Sequence, residues 1–162
     1  MTRRLPLSQW KPKVQTCDCD ECKAMCAVPC WGSPAEIKRL IKLGYGDKLM
    51  LNSRWWHPPG SEGHEVFLIC PAHKGAEGAT DWSSGRRGCN LQKRGKCTIH
   101  DVCKPIEGRL AICKGREPVD LRDRVLKLWD NIPAQKLAIA WAKKFGKNKE
   151  NLLTHLEEAK VK

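Results

Sequence analysis

Cysteine is where this chain concentrates its chemistry: it has ten, and Cys17, Cys19, Cys22, Cys26 and Cys30 crowd into fourteen residues. Cys70, Cys89, Cys97, Cys103 and Cys113 follow at wider intervals. Thiols in such number either pair as disulfides or ligate metal, and the redox compartment decides which. The sequence opens MTRRLPLSQWKPK, with Trp10, Lys11 and Pro12 where the apolar run of a signal peptide would sit. No stretch reaches the roughly 18 consecutive apolar residues of a membrane helix. A cytoplasmic protein with no membrane partner is therefore expected. In that reducing setting metal ligation is favoured over S–S bonds.

Tetrahedral metal sites commonly take ligands as a close pair from one segment and further ligands from distant ones. Cys22, Cys26 and Cys30 have three residues between successive members, which fits one helical face or a ligating loop. Cys70, Cys89, Cys97, Cys103 and Cys113 supply the distant donors. Spacing of this kind serves zinc or a [4Fe–4S] cluster equally, so both cofactors stay open. Cys17 and Cys19 either complete a second site or are spare thiols, and Cys70, Cys103 and Cys113 could instead pack as small buried hydrophobes. His100, three residues after Cys97, is either an imidazole ligand or a surface or hydrogen-bonding residue, and His57, His64 and His73 are similarly ambiguous.

Thirty Lys and Arg against eighteen Asp and Glu give a formal net charge of +12, which points to an acidic protein or a nucleic acid as partner. Arg54-Trp55-Trp56-His57 places a cation beside stackable rings, and Arg86, Arg87, Lys93 and Arg94 flank Cys89. Arg54, Trp55, Arg86, Arg87, Lys93 and Arg94 are thus the candidate nucleic-acid contacts. The chain has no RNP, KH or helix-turn-helix signature beside them. Basic residues near thiols are also expected to lower their pKa. The chain has no HExxH, GxSxG, phosphate-loop or GxGxxG motif, nor the HxE with PCxxC of zinc deaminases. A binding module is expected rather than an enzyme.

The elements that must hold these thiols are short until the C-terminal third. Residues 1–16 read as a basic arm. Ser33, Pro34 and Glu36 form a helix start with a capping hydroxyl, a proline in the first turn and a carboxylate three residues after the cap. Ile37, Leu40 and Ile41 continue that helix and Gly44 ends it. This helix start, three residues past Cys30, is expected to favour thiolates nearby. GYGDKLML reads as a turn and a short strand, and NSRWWHPPGSEGHE as a loop. Val66 to Ile69 is an apolar, β-branched run that delivers Cys70, and Ala72 to Arg94 is either a surface loop or a pair of very short strands. From Pro118 onward apolar residues recur at helical spacing: Leu121, Val125, Leu128 and Trp129 in one helix, then Leu137, Ile139, Ala140, Trp141 and Phe145 in a second. A third begins near Asn148 with Leu152, Leu153 and Leu156. The expectation is an irregular α+β metal-binding domain over 17–117 with a C-terminal helical segment, 118–162, packed on it.

CKAMCAVPCW near the N-terminus, then Cys89 with Leu91, Gly95, Cys97, Ile99 and His100, then Pro105 and Arg109, follow one recognisable order. In that order the chain resembles the YkgJ-type cysteine-cluster proteins, zinc- or iron-chelating domains found in bacteria and their phages. The resemblance spans roughly 17–113 and continues into the LWDNIPAQKLAIAW tail. It implies metal-ligand roles for Cys22, Cys26, Cys30, Cys89 and Cys97, a bacterial or phage-infected cell, and a phage accessory factor as one possible role. Some relatives, flagellin lysine methylases among them, are iron–sulfur proteins, so the resemblance also implies a redox or protein-modifying alternative. The chain departs from the pattern at three places: the adjacent cysteine pair is missing, His100 replaces a tyrosine, and Gly108 stands where a cysteine precedes the arginine. Cys103 and Cys113 are the candidates to compensate.

Overall fold

The computed structural model describes residues 19–80, 87–110 and 120–158. The expected N-terminal arm and Cys17, Arg86 and Cys113 lie outside the described residues. The described chain mixes helices with two small antiparallel sheets, an α+β arrangement. Its frame is one hairpin, β1 (Leu49–Trp56) with β2 (His64–Pro71), in continuous register from Leu49 opposite Pro71 to Trp56 opposite His64. The 52–56 stretch is therefore strand, not the loop that its neighbouring Pro58-Pro59-Gly60 suggested. Trp55 and Trp56 are good strand formers, and pairing with Glu65 and His64 decides their conformation.

Helix α1 (Asp20–Ala27) precedes α2 (Pro34–Leu40), whose start follows the sequence signal closely. The Ser33 hydroxyl accepts from Glu36 N while the Glu36 carboxylate accepts from Ser33 N at 2.8 Å, and Pro34 occupies the first turn. The helix unwinds through a wider turn, Ile41–Tyr45, where Gly44 takes φ +89, and a 3-10 turn, Gly46–Lys48, leads into β1. A side chain at Gly46 would run into the Phe145 ring, so the backbone itself forms the floor on which that ring sits. A second hairpin, β3 (Gln92–Lys93) and β4 (Lys96–Cys97), turns on Arg94 and Gly95, both at positive φ. Two short helices follow, α3 (His100–Cys103) and α4 (Ile106–Leu110), and then α5 (Leu121–Trp129), α6 (Ile132–Phe145) and α7 (Lys149–Glu158).

The buried side chains form one continuous core: Ile37 and Leu40 of α2, consecutive residues 49–51 and 66–70 of the β1–β2 hairpin, covered on both faces, and Val125, Trp129, Trp141, Leu152 and Leu156 of the last three helices. On α5, Leu121, Val125 and Trp129 are buried as the stripe read from sequence requires, but Leu128 is exposed and Leu126 is buried instead. Asp130 and Asn131 end α5 directly after Trp129, and the apolar face that meets the hairpin runs through Leu121, Val125, Leu126 and Trp129. Three polar side chains hold the helices at fixed points of the core. Trp129 Nε1 donates to Gly32 O at 2.8 Å, Trp141 Nε1 donates to Gly46 O at 2.9 Å, and Gln135 Nε2 reaches Phe67 O at 2.9 Å. Indole rings bury large apolar area while their N–H still needs an acceptor, and here both find a backbone carbonyl near α2. We expect Trp129→Ala to destabilise the fold by about 3–5 kcal/mol in urea or guanidinium titration. A loss below about 1 kcal/mol would contradict the central place given to this ring.

Candidate metal centre

The cysteines reach the site from separate directions. Cys22 sits on α1, half-buried, and Cys26 lies on the same helix with its side chain outside the described residues. Helix α1 packs against the β3–β4 hairpin: Gln92 Nε2 donates to Lys23 O at 2.8 Å, and the Gly95 turn lies against the Lys23 side chain. That contact places the helix carrying Cys22 and Cys26 beside the strand that ends in Cys97. Cys89 is buried in the core just before the hairpin and pairs with His73 in an isolated antiparallel bridge. Cys30 follows α1, and Cys70 is fully buried near the end of β2. Cys19 is half-buried at the N-cap of α1.

Electrostatics tie these thiols together. Cys30 is half-buried as a residue, yet burial of its thiol is the largest cause holding its pKa well above the ordinary value. The negative charges of Cys89, Glu107 and Cys97 raise it further, and Lys104 opposes them. Cys70 is pushed up as well, first by burial, then by Glu107 and Cys89, with Arg122 and a side-chain hydrogen bond to Asn52 acting the other way. Like charge at Cys89 and at Cys97 thus acts on the Cys30 thiol, and like charge at Cys89 acts on Cys70 too. The expectation that basic neighbours lower the thiol pKa fails at Cys30, because desolvation and like charge outweigh the one lysine.

The start of α2 does not serve the thiols either. Glu36 Oε2 accepts from Ser33 N at 2.8 Å and from the Ser33 hydroxyl at 3.1 Å, and Trp31 N donates to Glu107 Oε2 at 2.6 Å. In the first turn Pro34 has no amide hydrogen and Glu36 N donates to the Ser33 hydroxyl, so the cap takes a donor that sequence reasoning offered to sulfur. Glu107 was not singled out from the sequence. It is 4% exposed, and beyond Trp31 N it accepts from Arg122 Nε at 2.5 Å, while its own N–H donates to Trp31 O at 3.1 Å. The Arg122 guanidinium lies over the Trp31 ring, 4.9 Å from its centroid. This lock fixes the segment that carries Cys30. Gly108, one residue on, leaves room for that thiol: a Cβ there would lie 2.9 Å from Cys30 Sγ and 2.9 Å from Lys104 Cε.

Cys103 stands apart, on α3, where its thiol donates to Glu36 O at 3.6 Å. Burial raises its pKa, and the charges acting on it are Arg39, Glu36 and Arg109. His100 Nε2 is buried without a hydrogen-bond partner among the described residues. Among the described residues no three His, Cys, Asp or Glu side chains are already grouped to hold a metal ion. The donor set is nevertheless soft and partly dry, and its sulfur chemistry suits zinc or an iron–sulfur cluster. The candidate nucleic-acid contacts divide between two places. Arg54 and Trp55 are exposed on β1 near its hairpin tip, with Trp55 57% exposed. Met50, opposite Cys70, is five residues back along the strand, about 17 Å at strand rise. Arg87, Lys93 and Arg94 are exposed on the Cys89–Cys97 side.

Comparison with family models, curated proteins and solved structures returns no match. Among the described residues, no helix is long and apolar enough to cross a membrane.

Two outcomes follow from this geometry. A folded-state thiol pKa above the unfolded one gives stability that is complete below the unfolded value, about 8.5, and is lost as pH rises through the folded one. The reduced, metal-free protein is therefore expected to keep a constant denaturation midpoint through neutral pH and to lose stability above about pH 8.5, with a shallower decline in Cys30→Ser. A midpoint that rises across that range contradicts the sign. Gly108→Ala is expected to cost about 1–3 kcal/mol through crowding of Cys30 and Lys104, measured as a shift in denaturation midpoint.

Proposed function

We propose that this protein is a cysteine-cluster metal-binding module, zinc or iron–sulfur, of the kind the YkgJ-type resemblance implies, and that it acts by interaction and not by catalysis. The observation that carries the reading is the burial of the Cys30 thiol together with the like charge of Cys89 and Cys97, which acts on it from either flank of the β3–β4 hairpin. Thiols that raise one another's pKa in a desolvated place favour a cation that neutralises them together. A donor from α1, Cys22 or Cys26, closes the set, so the metal clamps α1 and the β3–β4 hairpin onto the core. With four cysteine ligands, zinc leaves no open position and acts as a scaffold, whereas a [4Fe–4S] cluster adds electron transfer.

Exposed Arg87, Lys93 and Arg94 beside this region support an acidic partner, protein or nucleic acid, inside a bacterial or phage-infected cell. A second reading, binding of single-stranded nucleic acid, draws on exposed Trp55 beside Arg54.

Protein purified without oxygen and analysed for metal is expected to contain stoichiometric zinc and be colourless, or iron with sulfide and absorption near about 400 nm that bleaches on reduction. Removing the metal should lower the melting temperature and deprotect α1 in hydrogen exchange. Re-addition should release protons, with affinity climbing as pH rises, because thiols must ionise to bind. Protein free of both metals whose cysteines are paired as disulfides would end this reading.

A further inference from the structure

His73 and Cys89 face each other across an isolated antiparallel bridge outside the two hairpins. Lys74 N donates to Gly88 O and Asn90 N donates to Ala72 O, each at 3.0 Å, so the bonds flank the pair and do not join it. In pairs of this kind the two side chains leave the ladder on the same side, with Cβ atoms about 4.5–5.5 Å apart. Both residues are enclosed, His73 at 4% and Cys89 at 7% exposure. A Cβ on Gly88 would lie 4.0 Å from Ala27 O, so the bridge adjoins the end of α1 that leads to Cys30.

His73 Nδ1 is buried with no hydrogen-bond partner among the described residues. Buried polar atoms nearly always have one. With no accessible surface this nitrogen cannot reach a solute in solvent, so its partner must be a group inside the protein. The residue across the bridge supplies one. A neutral thiol accepts weakly, but a thiolate accepts strongly, and Cys89 becomes a thiolate when it ligates metal. Four thiolates outweigh the charge of one divalent cation, and Glu107 adds its own negative charge to the same region. An N–H beside one sulfur relieves that excess.

We infer that His73, through Nδ1–H, donates a hydrogen bond to Cys89 Sγ when that sulfur holds the metal. The inference rests on the metal-binding reading above, whose four cysteines already fill a tetrahedral site, so His73 is a positioning residue and not a ligand. Partners of this kind orient the donor atom and tune its basicity. Sequence reasoning left His73 ambiguous because the bridge to Cys89 joins residues distant along the chain.

The test titrates the reduced, metal-free full chain with zinc and with cobalt(II), whose absorption reports the number of sulfur ligands. His73→Asn keeps an N–H near the Nδ1 position, His73→Gln moves it to the Nε2 position, and His73→Leu has none. His73→Asn is expected to bind zinc as the native chain does, whereas His73→Gln and His73→Leu bind about tenfold more weakly. Iodoacetamide should also modify Cys89 faster in these two zinc-loaded variants. The cobalt spectrum should keep four thiolates throughout. Native affinity in His73→Leu overturns the inference, and equal weakening by His73→Asn and His73→Gln overturns it by reducing His73 to packing. A native cobalt spectrum of three thiolates that shifts in His73→Leu also overturns it, because His73 is then a ligand. If His73→Leu fails to fold, the contrast between His73→Asn and His73→Gln decides alone. A native chain that binds neither ion fails the metal reading itself, before any variant is compared, and the inference falls with it.

Discussion

The Glu107 carboxylate is the point at which the parts of this molecule meet. Its two oxygens accept from Trp31 N at 2.6 Å and Arg122 Nε at 2.5 Å, so one buried anion joins the segment after Cys30, helix α4 and helix α5. A buried charge is tolerable only when hydrogen-bonded and paired, and here backbone and guanidinium do both. The reciprocal bond from Glu107 N to Trp31 O at 3.1 Å makes the junction two-sided, and Arg122 closes it by lying over the Trp31 ring. Trp129 then anchors the adjoining Gly32 carbonyl. The path of the chain between Cys30 and Ser33 is thereby fixed from both flanks.

This arrangement has an electrostatic cost for sulfur. The carboxylate that secures the backbone also raises the pKa of Cys30 and Cys70, so without a cation the neighbourhood resists thiolate formation. A divalent cation or a cluster reverses the balance, because its charge is larger than any side chain nearby. Burial does most to hold these thiols protonated, and the group that positions them adds to it.

Much of the scaffold could be read in advance where a local rule governs it. Ser33, Pro34 and Glu36 announce α2, Gly44 its end, and the apolar run at Val66–Ile69 a strand, because caps, positive φ and β-branching act over a few residues. The reading failed where partners distant in sequence decide. Trp55 and Trp56 became strand through pairing with β2, and Leu126 displaced Leu128 because the hairpin selects which face of α5 is buried. At the candidate centre the charges of Cys89 and Cys97 reach Cys30, though among the described residues no three donors are grouped to hold a metal ion, and Glu107 gave no signal, being one acid in a short helix. The proposed release of thiol protons by basic neighbours failed for a related reason: burial cannot be seen in a list of charges.

Gly46 has a consequence for how this molecule can vary. The Phe145 ring rests on bare peptide there, and Trp141 bonds to the carbonyl of the same residue. Two aromatic side chains of α6 therefore read the main chain itself, and an added methyl would need a smaller residue in place of Phe145. Sequence drift along α6 is constrained to keep that seat, while the opposite edge of the helix, with Lys143 and Lys144 facing water, is open to change. Descendants of this chain would diverge in surface charge long before they could alter the angle at which their C-terminal helices meet the hairpin.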